Sequence, residues 1–325
     1  MATSTAVDIA PSTDSWIDPV HSDAPSLHVG LEISSVRIKA LKYIPEEGIL
    51  VASGILPALY AFDTVSMKSL WCVCPRNIFG AVRGLDIHGR VLVCGFDDNA
   101  LRVFLFPFVT DVDGHERINY RAAPVLSATF SHAHLDYIRC VQFQPQTKGF
   151  QPLFGWQPPN FLTASDDQTL RLFSWSGSQD PRPVQKQVLT GHRHYVMCVA
   201  WLPPHPSTTD STTSHFAVSC SLDTTVKVWN TENGRTLATA SKAHTRGINH
   251  LAITPITFAS ATAQSCAHTG EVGSKLLREW LIVTAADDFC ITILRLEVSS
   301  DTFGKQHVMI YVQRSISGIH TQNVS

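Results

Sequence analysis

The stretch GHRHYVMCVAWLPP at residues 191–204, followed by HFAVSCSLDTTVKVWN at residues 215–230, decides the fold of this chain. In it, His192 precedes an apolar valine by four residues, and Asp223 precedes Trp229 by six. Apolar and polar residues alternate on both sides of the turn aspartate, as they do in half-buried β-strands. The stretch therefore predicts short strands that are joined by tight turns.

The same arrangement recurs along the chain. Good copies lie at residues 133–175 (AHLDYIRCVQFQP and FLTASDDQTLRLFSW) and at residues 243–297 (AHTRGINHLAITP and WLIVTAADDFCITILRLE). Weaker copies, which lack the histidine, lie at residues 36–63 and 82–104. Self-similarity of this kind indicates a repeat architecture, and the period-2 alternation makes it all-β.

The pair Gly191-His192, together with Val228-Trp229-Asn230, resembles the start and the end of a WD repeat. The resemblance extends over roughly residues 31–325 and implies a WD-repeat β-propeller with five recognisable repeats and the start of a sixth. It also implies a polar lock in each blade, in which a loop histidine, a strand hydroxyl, the turn aspartate and the tryptophan share hydrogen bonds. The implied lock residues are His134, Thr163, Asp167, His192, Ser219, Asp223, Trp229, His244, Thr284 and Asp288.

The ends of the chain lead to expectations about domain organisation. Residues 1–26 are polar and lack the features of a signal peptide, so they are predicted to form a flexible leader before a propeller over residues 27–325. Near the C-terminus, His320 precedes Val324 by four residues, like the start of another repeat. The ring is therefore expected to be incomplete or open within this chain. Continuation of the native product, a strand at residues 27–33 and strands from a partner are all possible ways of closing it.

Composition narrows the function classes. The chain has a net charge of −2 and no apolar stretch that could span a bilayer, so nucleic acid is not favoured as a partner and membrane insertion is not expected. Most of the eight cysteines lie in apolar alternating runs. Without a signal peptide, this pattern indicates a reducing compartment, and the predicted location is the cytoplasm or the nucleus rather than the outside of the cell.

The chemistry-bearing residues favour structure over catalysis. Histidine and aspartate recur in several repeats, whereas a catalytic group would occur once. The pair Cys72-x-Cys74 has no second ligand pair at zinc-finger spacing, and the chain contains neither a glycine-rich phosphate loop nor a nucleophile elbow. The sequence therefore predicts no enzymatic activity, no cofactor and no metal.

In the family that the chain resembles, partners bind around the mouth of the central channel. The candidates carried over to this sequence are Lys39, Arg83, Asp97, Tyr137, Arg139, Asp166, Tyr195, Met197, Leu222, Asn249 and Asp287. Arg83 and Arg139 suit an acidic or phosphorylated peptide. An equally open interpretation is that the adjacent aspartates pair with these arginines. The aromatic residues Phe150, Phe154 and Trp156 are either packed under a blade or anchors for a partner.

The predicted function is that of a non-catalytic protein-interaction scaffold within a multi-protein complex. An RNA-binding or RNA-processing subunit is the alternative. A ubiquitin-ligase substrate receptor is less favoured, because such proteins often carry an arginine directly after the tryptophan-aspartate pair. Here Trp229-Asn230 is followed by Thr231-Glu232.

Overall fold

A computed structural model of the chain describes residues 37–75, 78, 80–145, 158–176, 182–205, 215–256, 276–300 and 305–317. Several sequence predictions concern residues outside these ranges. They are the leader at residues 1–26, the strand at residues 27–33, the aromatic residues Phe150, Phe154 and Trp156, and the repeat start at His320 and Val324.

The described residues form five four-stranded antiparallel sheets, here called blades 1 to 5. Blade 1 contains β1 (Ile38–Ile44), β2 (Ile49–Gly54), β3 (Leu59–Asp63) and β4 (Ser69–Val73). The chain continues through β5 (Val82–His88), β6 (Val91–Phe96), β7 (Leu101–Leu105), the hairpin of β8 (Phe108–Thr110) and β9 (Glu116–Ile118), and β10 (Val125–Phe130). Blade 2 consists of β5, β6, β7 and β10, in that order from the inside outwards.

The remaining blades follow the chain in order. Blade 3 contains β11 (Ile138–Phe143), β12 (Phe161–Ser165), β13 (Leu170–Ser176) and β14 (Arg182–Leu189). Blade 4 contains β15 (Val196–Trp201), β16 (Phe216–Ser221), β17 (Val226–Asn230) and β18 (Arg235–Ala240). Blade 5 contains β19 (Ile248–Pro255), β20 (Leu276–Ala286), β21 (Ile291–Ser300) and β22 (Gln306–Ile316).

The first strands of successive blades lie side by side, in the order β1, β5, β11, β15 and β19, and so surround a common axis. Alternate residues of each sheet are buried against the next blade. For example, Val218 and Val228 of blade 4 belong to one apolar cluster with Trp280 and Ile282 of blade 5. This burial on both faces is how a propeller covers its small sheets. Among the described strands, β19 and β1 do not pack together as successive first strands do. That the ring is incomplete or open within this chain stays a prediction.

The spacing of the repeats in the sequence predicts a long connection at residues 107–132 and an insert at residues 255–279, and in the structure both are shorter. Residues 107–132 contain the outer strand of blade 2 as well as the hairpin of β8 and β9, instead of being a bare linker between blades. In blade 5, β20 begins at Leu276, so the insert after Pro255 ends four residues earlier than the sequence suggested. Residues 276–279 of β20 pair with residues 297–300 of β21, and this part of the hairpin extends past the last residue of β20 that pairs with β19.

Neighbouring blades are also joined by polar contacts at the end of the sheets where the first strand turns into the second. Asp86 of blade 2 accepts a hydrogen bond from the backbone N–H of Phe143 in blade 3 at 2.7 Å and pairs with Lys42 of blade 1. The indole N–H groups of two tryptophans, Trp201 and Trp280, donate to backbone carbonyls of the preceding blade, each at 3.0 Å. These bonds hold the blades in register and so fix the opposite end, where the candidate site lies.

Candidate functional site

The polar lock of blade 4 is a continuous chain of hydrogen bonds. The indole N–H of Trp229 donates to Ser219 Oγ at 2.8 Å, and Ser219 lies 2.7 Å from His192 Nε2. His192 Nδ1 lies 2.8 Å from a carboxylate oxygen of Asp223. Because a carboxylate can only accept, Nδ1 carries the proton and Nε2 accepts the serine hydroxyl. A neutral histidine therefore satisfies every group in the chain.

Blades 3 and 5 contain the same lock without the tryptophan. His134 lies 2.9 Å from Asp167 and 2.6 Å from Thr163, and His244 lies 3.0 Å from Asp288 and 2.8 Å from Thr284. Phe173 and Leu294 fill the position of the tryptophan and are fully buried. The structure thus brings all ten predicted lock residues into three blade-specific groups.

Blade 2 holds its turn by a different contact, which the sequence did not indicate. Arg102 donates to both carboxylate oxygens of Asp98, at 2.9 and 2.5 Å, and its guanidinium lies 4.4 Å from the centre of the Phe96 ring. A strand arginine therefore does here what the loop histidine does in blades 3 to 5. Its spacing of four residues after the turn aspartate is the signal that could have revealed it.

The locks make stability sensitive to acid. Burial tends to raise the pKa of Asp167 and of Asp223, but hydrogen bonds from His134 and His192 and from backbone N–H groups outweigh it and hold both pKa values well below the ordinary range. Burial also lowers the pKa of His134, in spite of the neighbouring Asp167. In each case the folded chain binds a proton less readily than the unfolded chain does.

We therefore expect the urea midpoint of unfolding to fall as the pH is lowered. The contribution of His134 is complete above its unfolded pKa of about 6.5, and that of the two aspartates above about 4; both are lost progressively below those values. The measurement is a urea titration at several pH values between about 7.5 and 3.5. Asp223→Asn should flatten the acid limb, and Asp113→Asn, in an exposed turn, should leave it unchanged. A midpoint independent of pH over this range would contradict the expectation.

The locked turns place the candidate partner-binding residues at one end of the sheets. In all five blades the first strand contains a β-bulge near its start, and the residue skipped by the register is a predicted mouth residue. A bulge leaves its extra residue unpaired and redirects its side chain. The five skipped residues are Lys39, Arg83, Arg139, Met197 and Asn249.

The second set of mouth residues is tied to the same strands by their backbone. The N–H groups of Asp97, Asp166, Leu222 and Asp287 donate to carbonyl oxygens directly before the first strand of their own blade, at 2.9–3.0 Å. Each side chain then lies beside the bulged residue. The channel mouth is defined here by these nine residues together with Tyr137 and Tyr195.

Within the channel mouth, both arginines are paired. Arg83 binds Asp97 through two hydrogen bonds, and Arg139 binds Asp166 through two, one of them 2.7 Å long. In blade 5, the amide of Asn249 donates to Asp287 at 2.7 Å. Of the two interpretations left open by the sequence, the structure thus contains the one in which aspartates occupy the arginine forks.

The aromatic and apolar candidates belong to blades 3 and 4. Tyr137 and Tyr195 are 39% and 37% exposed, and Tyr137 is flanked by the guanidinium groups of Arg83 and Arg139, at 5.1 and 5.9 Å from its ring centre. Met197 and Leu222 are half-buried beside Tyr195 in blade 4. The mouth is therefore charged at blades 1 to 3 and uncharged at blade 4.

In the part of the chain that the structure describes, no cluster of three or more histidine, cysteine, aspartate or glutamate residues is arranged to hold a metal ion. The same residues include no helix long and apolar enough to cross a membrane. The candidate site thus consists of side chains suited to recognition: paired guanidinium groups, exposed phenols and a small apolar surface.

Five stacked four-stranded blades, with recurring histidine–aspartate locks, define a repeat β-propeller. Residues 183–230, which include the whole lock of blade 4, match the family model described as "WD domain, G-beta repeat". The chain resembles the nuclear distribution protein PAC1 of Zygosaccharomyces rouxii, with 34% identity over 84 residues. It also resembles the cross-pathway control WD-repeat protein 2 of Flammulina velutipes, with 33% identity over 79 residues. Residues 183–230 are thus similar to a WD repeat, within a chain that has the fold of a β-propeller.

The likeness to these relatives is confined to a segment. It covers 25% and 24% of this chain, and about a fifth of each relative, 18% and 22% respectively. Among solved structures, a chain in a crystal structure of the mitotic checkpoint complex superimposes with a TM-score of 0.55 and 15% identity, over 91% of this chain and 68% of that one. This last likeness shows the fold alone.

Proposed function

We propose that this protein is a non-catalytic interaction scaffold, and that a segment of a partner protein binds across its channel mouth. The observation that carries the proposal is the bulge at the same position in all five first strands, which directs side chains of five different blades to one rim. Two exposed tyrosines lie on that rim. Tyrosine is enriched among residues that contribute most to binding energy.

The repeated histidines support a structural role and not a reaction. His134, His192 and His244 all use both ring nitrogens within their own blade, so none of them is available as a base or a ligand. RNA binding is not favoured, because two of the three cations predicted at the mouth are neutralised by aspartates. Membership of a particular complex, and a location in the cytoplasm or nucleus, stay predictions.

The test is capture of partners by the full-length chain from native extract, compared with the double variant Tyr137→Ala/Tyr195→Ala. We expect the variant to recover the same partners at least about tenfold less well, because truncating a central aromatic anchor commonly costs 2 kcal/mol or more. The control is Val65→Ser/Val112→Ser, which changes two exposed apolar residues in turns distant from the mouth. Equal recovery by both variants, or no partner at all with the wild-type chain, would contradict the proposal.

A further inference from the structure

Among the cations of the channel mouth, Lys39 is the one that has no aspartate partner in its own blade. In blades 2 and 3, the residue after the second strand is an aspartate that binds the bulged arginine. In blade 1, the register Ile38–Gly54 places Ile55 at that position. Isoleucine cannot accept a hydrogen bond, and Lys39 forms no hydrogen bond or ion pair with the described residues. Its ammonium group is therefore exposed without a carboxylate of its own.

The surroundings of Lys39 are positive. Partial burial and the charges of Arg83, Arg139 and Arg37 lower its pKa, and Asp97 opposes them only in part. Arg83 and Arg139 form ion pairs with Asp97 and Asp166, but Arg37 and Lys39 form none with the described residues. Two uncompensated positive charges thus lie at the start of β1, where an anion would be attracted.

Apolar side chains border this charge. Ile38 precedes Lys39 in β1, and Ile55 and Leu56 lie in the turn that joins β2 to β3. Each of the three side chains is nearly half exposed, at 48%, 47% and 48%. Three large aliphatic side chains that stay in contact with water around one lysine form a small amphipathic surface. Such a surface favours a ligand that combines a negative charge with an aliphatic group.

The chemistry of the cations separates two kinds of anion. A phosphate is bound best by the forked guanidinium of arginine, and both arginine forks in the mouth are already occupied by carboxylates. Within the mouth the remaining group is the ammonium of Lys39, a compact point charge without a bidentate preference, and the guanidinium of Arg37 lies outside the mouth, before β1. An acidic residue of a ligand would bind Lys39 as Asp97 binds Arg83 in blade 2 and as Asp166 binds Arg139 in blade 3.

We infer that Lys39 is the specificity-determining cation of the channel mouth, and that it binds an aspartate or glutamate next to an aliphatic residue in a partner segment. The inference rests on the proposed function, since it names the chemistry of the segment that binds there. Arg83 and Arg139 are bound by their own aspartates and do not compete for the ligand.

The experiment is selection of a random peptide library on the full-length chain, with removal of peptides that also bind Tyr137→Ala/Tyr195→Ala. We expect the remaining peptides to be enriched in aspartate or glutamate next to leucine, isoleucine or valine. Selection on Lys39→Met should lose the acidic enrichment, and the best acidic peptide should bind this variant about two- to fivefold more weakly. Lys68→Met, an exposed lysine in another turn of the same blade, is the matched control and should behave like the wild type.

The outcomes separate the two proposals. Peptides that depend on the tyrosines but lack an acidic residue, or acidic peptides that bind Lys39→Met normally, would overturn the inference and leave the proposed function standing. Failure to select any tyrosine-dependent peptide would count against both. Replacing the acidic residue of the best peptide by phosphoserine distinguishes the anions: tighter binding by tenfold or more would overturn the assignment to a carboxylate.

Discussion

Replacing Asp223 by alanine is expected to lower the free energy of unfolding by about 3–5 kcal/mol, because several donors lose their acceptor and each buried donor left unsatisfied costs about 1–3 kcal/mol. The carboxylate accepts hydrogen bonds from His192, from the backbone N–H of Arg193 and from both the hydroxyl and the N–H of Thr225. The side chain of His192 is completely buried, so its Nδ1–H would be left with only the Thr225 hydroxyl, 3.3 Å away, as an acceptor among the described residues. The measurement is urea unfolding followed by tryptophan fluorescence.

The control for this substitution is Asp113→Ala. Asp113 lies in the exposed turn between β8 and β9, and its carboxylate has no hydrogen-bond partner among the described residues. A change of no more than about 0.5 kcal/mol is expected there. A loss of less than about 1 kcal/mol for Asp223→Ala would mean that the lock is not the main support of the blade 4 turn, because even a single neutral hydrogen bond contributes about that much.

The locks illustrate what a repeat reveals in a sequence. A histidine, a hydroxyl residue and an aspartate at similar spacing in several copies are hard to explain except as a structural set, and the structure places these side chains 2.6–3.0 Å apart. The replacement in blade 2 was missed because the recurring pattern is recognised by its histidine, which blade 2 lacks. An arginine four residues after the turn aspartate also occurs in blade 3, where Arg171 binds Asp167 at 3.2 Å beside the histidine.

The outer strands were harder to predict than the inner ones. The outer strand of blade 2, Val125–Phe130, lies within a segment interpreted as a linker, and most of its residues are exposed or half-exposed. An outer strand lies at the periphery of the propeller, where less apolar surface is buried. Its alternation of apolar and polar residues is therefore weak. The residues Leu276–Glu279 were likewise assigned to an insert, although they pair with β21.

For the channel mouth, the sequence predicted which residues are present but not how they pair. The sequence supplied the eleven residues but left open whether Arg83 and Arg139 are available to a ligand or paired within the protein. That choice depends on the bulge and on the backbone bond before it, which together bring arginine and aspartate into contact. The exception at Lys39 follows from one residue, Ile55, and comparison of residues 54–57 with residues 96–99 would have shown it.

The second large effect is expected for Gly84→Ala, in the first strand of blade 2. A Cβ atom at this position would lie 2.9 Å from three backbone atoms of Cys140 and Val141, in the first strand of blade 3. Backbone atoms of a neighbouring sheet cannot rotate away as a side chain can, so β5 and β11 must separate. We expect a loss of about 3 kcal/mol in the free energy of unfolding, at the upper end of the usual cost of overpacking. The backbone angle φ of Gly84 is not positive, so the effect is steric.

Separation of the two strands can be measured directly at Cys140. Its sulfur is packed against blade 4, 4.0 Å from the sulfur of Cys198, and that contact together with burial raises the pKa of the Cys140 thiol well above its ordinary value. Such a thiol reacts slowly with alkylating reagents. In Gly84→Ala, movement of β11 should expose it and increase its rate of alkylation, read by mass spectrometry of the labelled peptide. Val112→Ala, at a fully exposed position in the turn between β8 and β9, should leave the rate unchanged. Wild-type stability together with a wild-type labelling rate in Gly84→Ala would show that the first strands of blades 2 and 3 are not in the close contact on which the central channel depends.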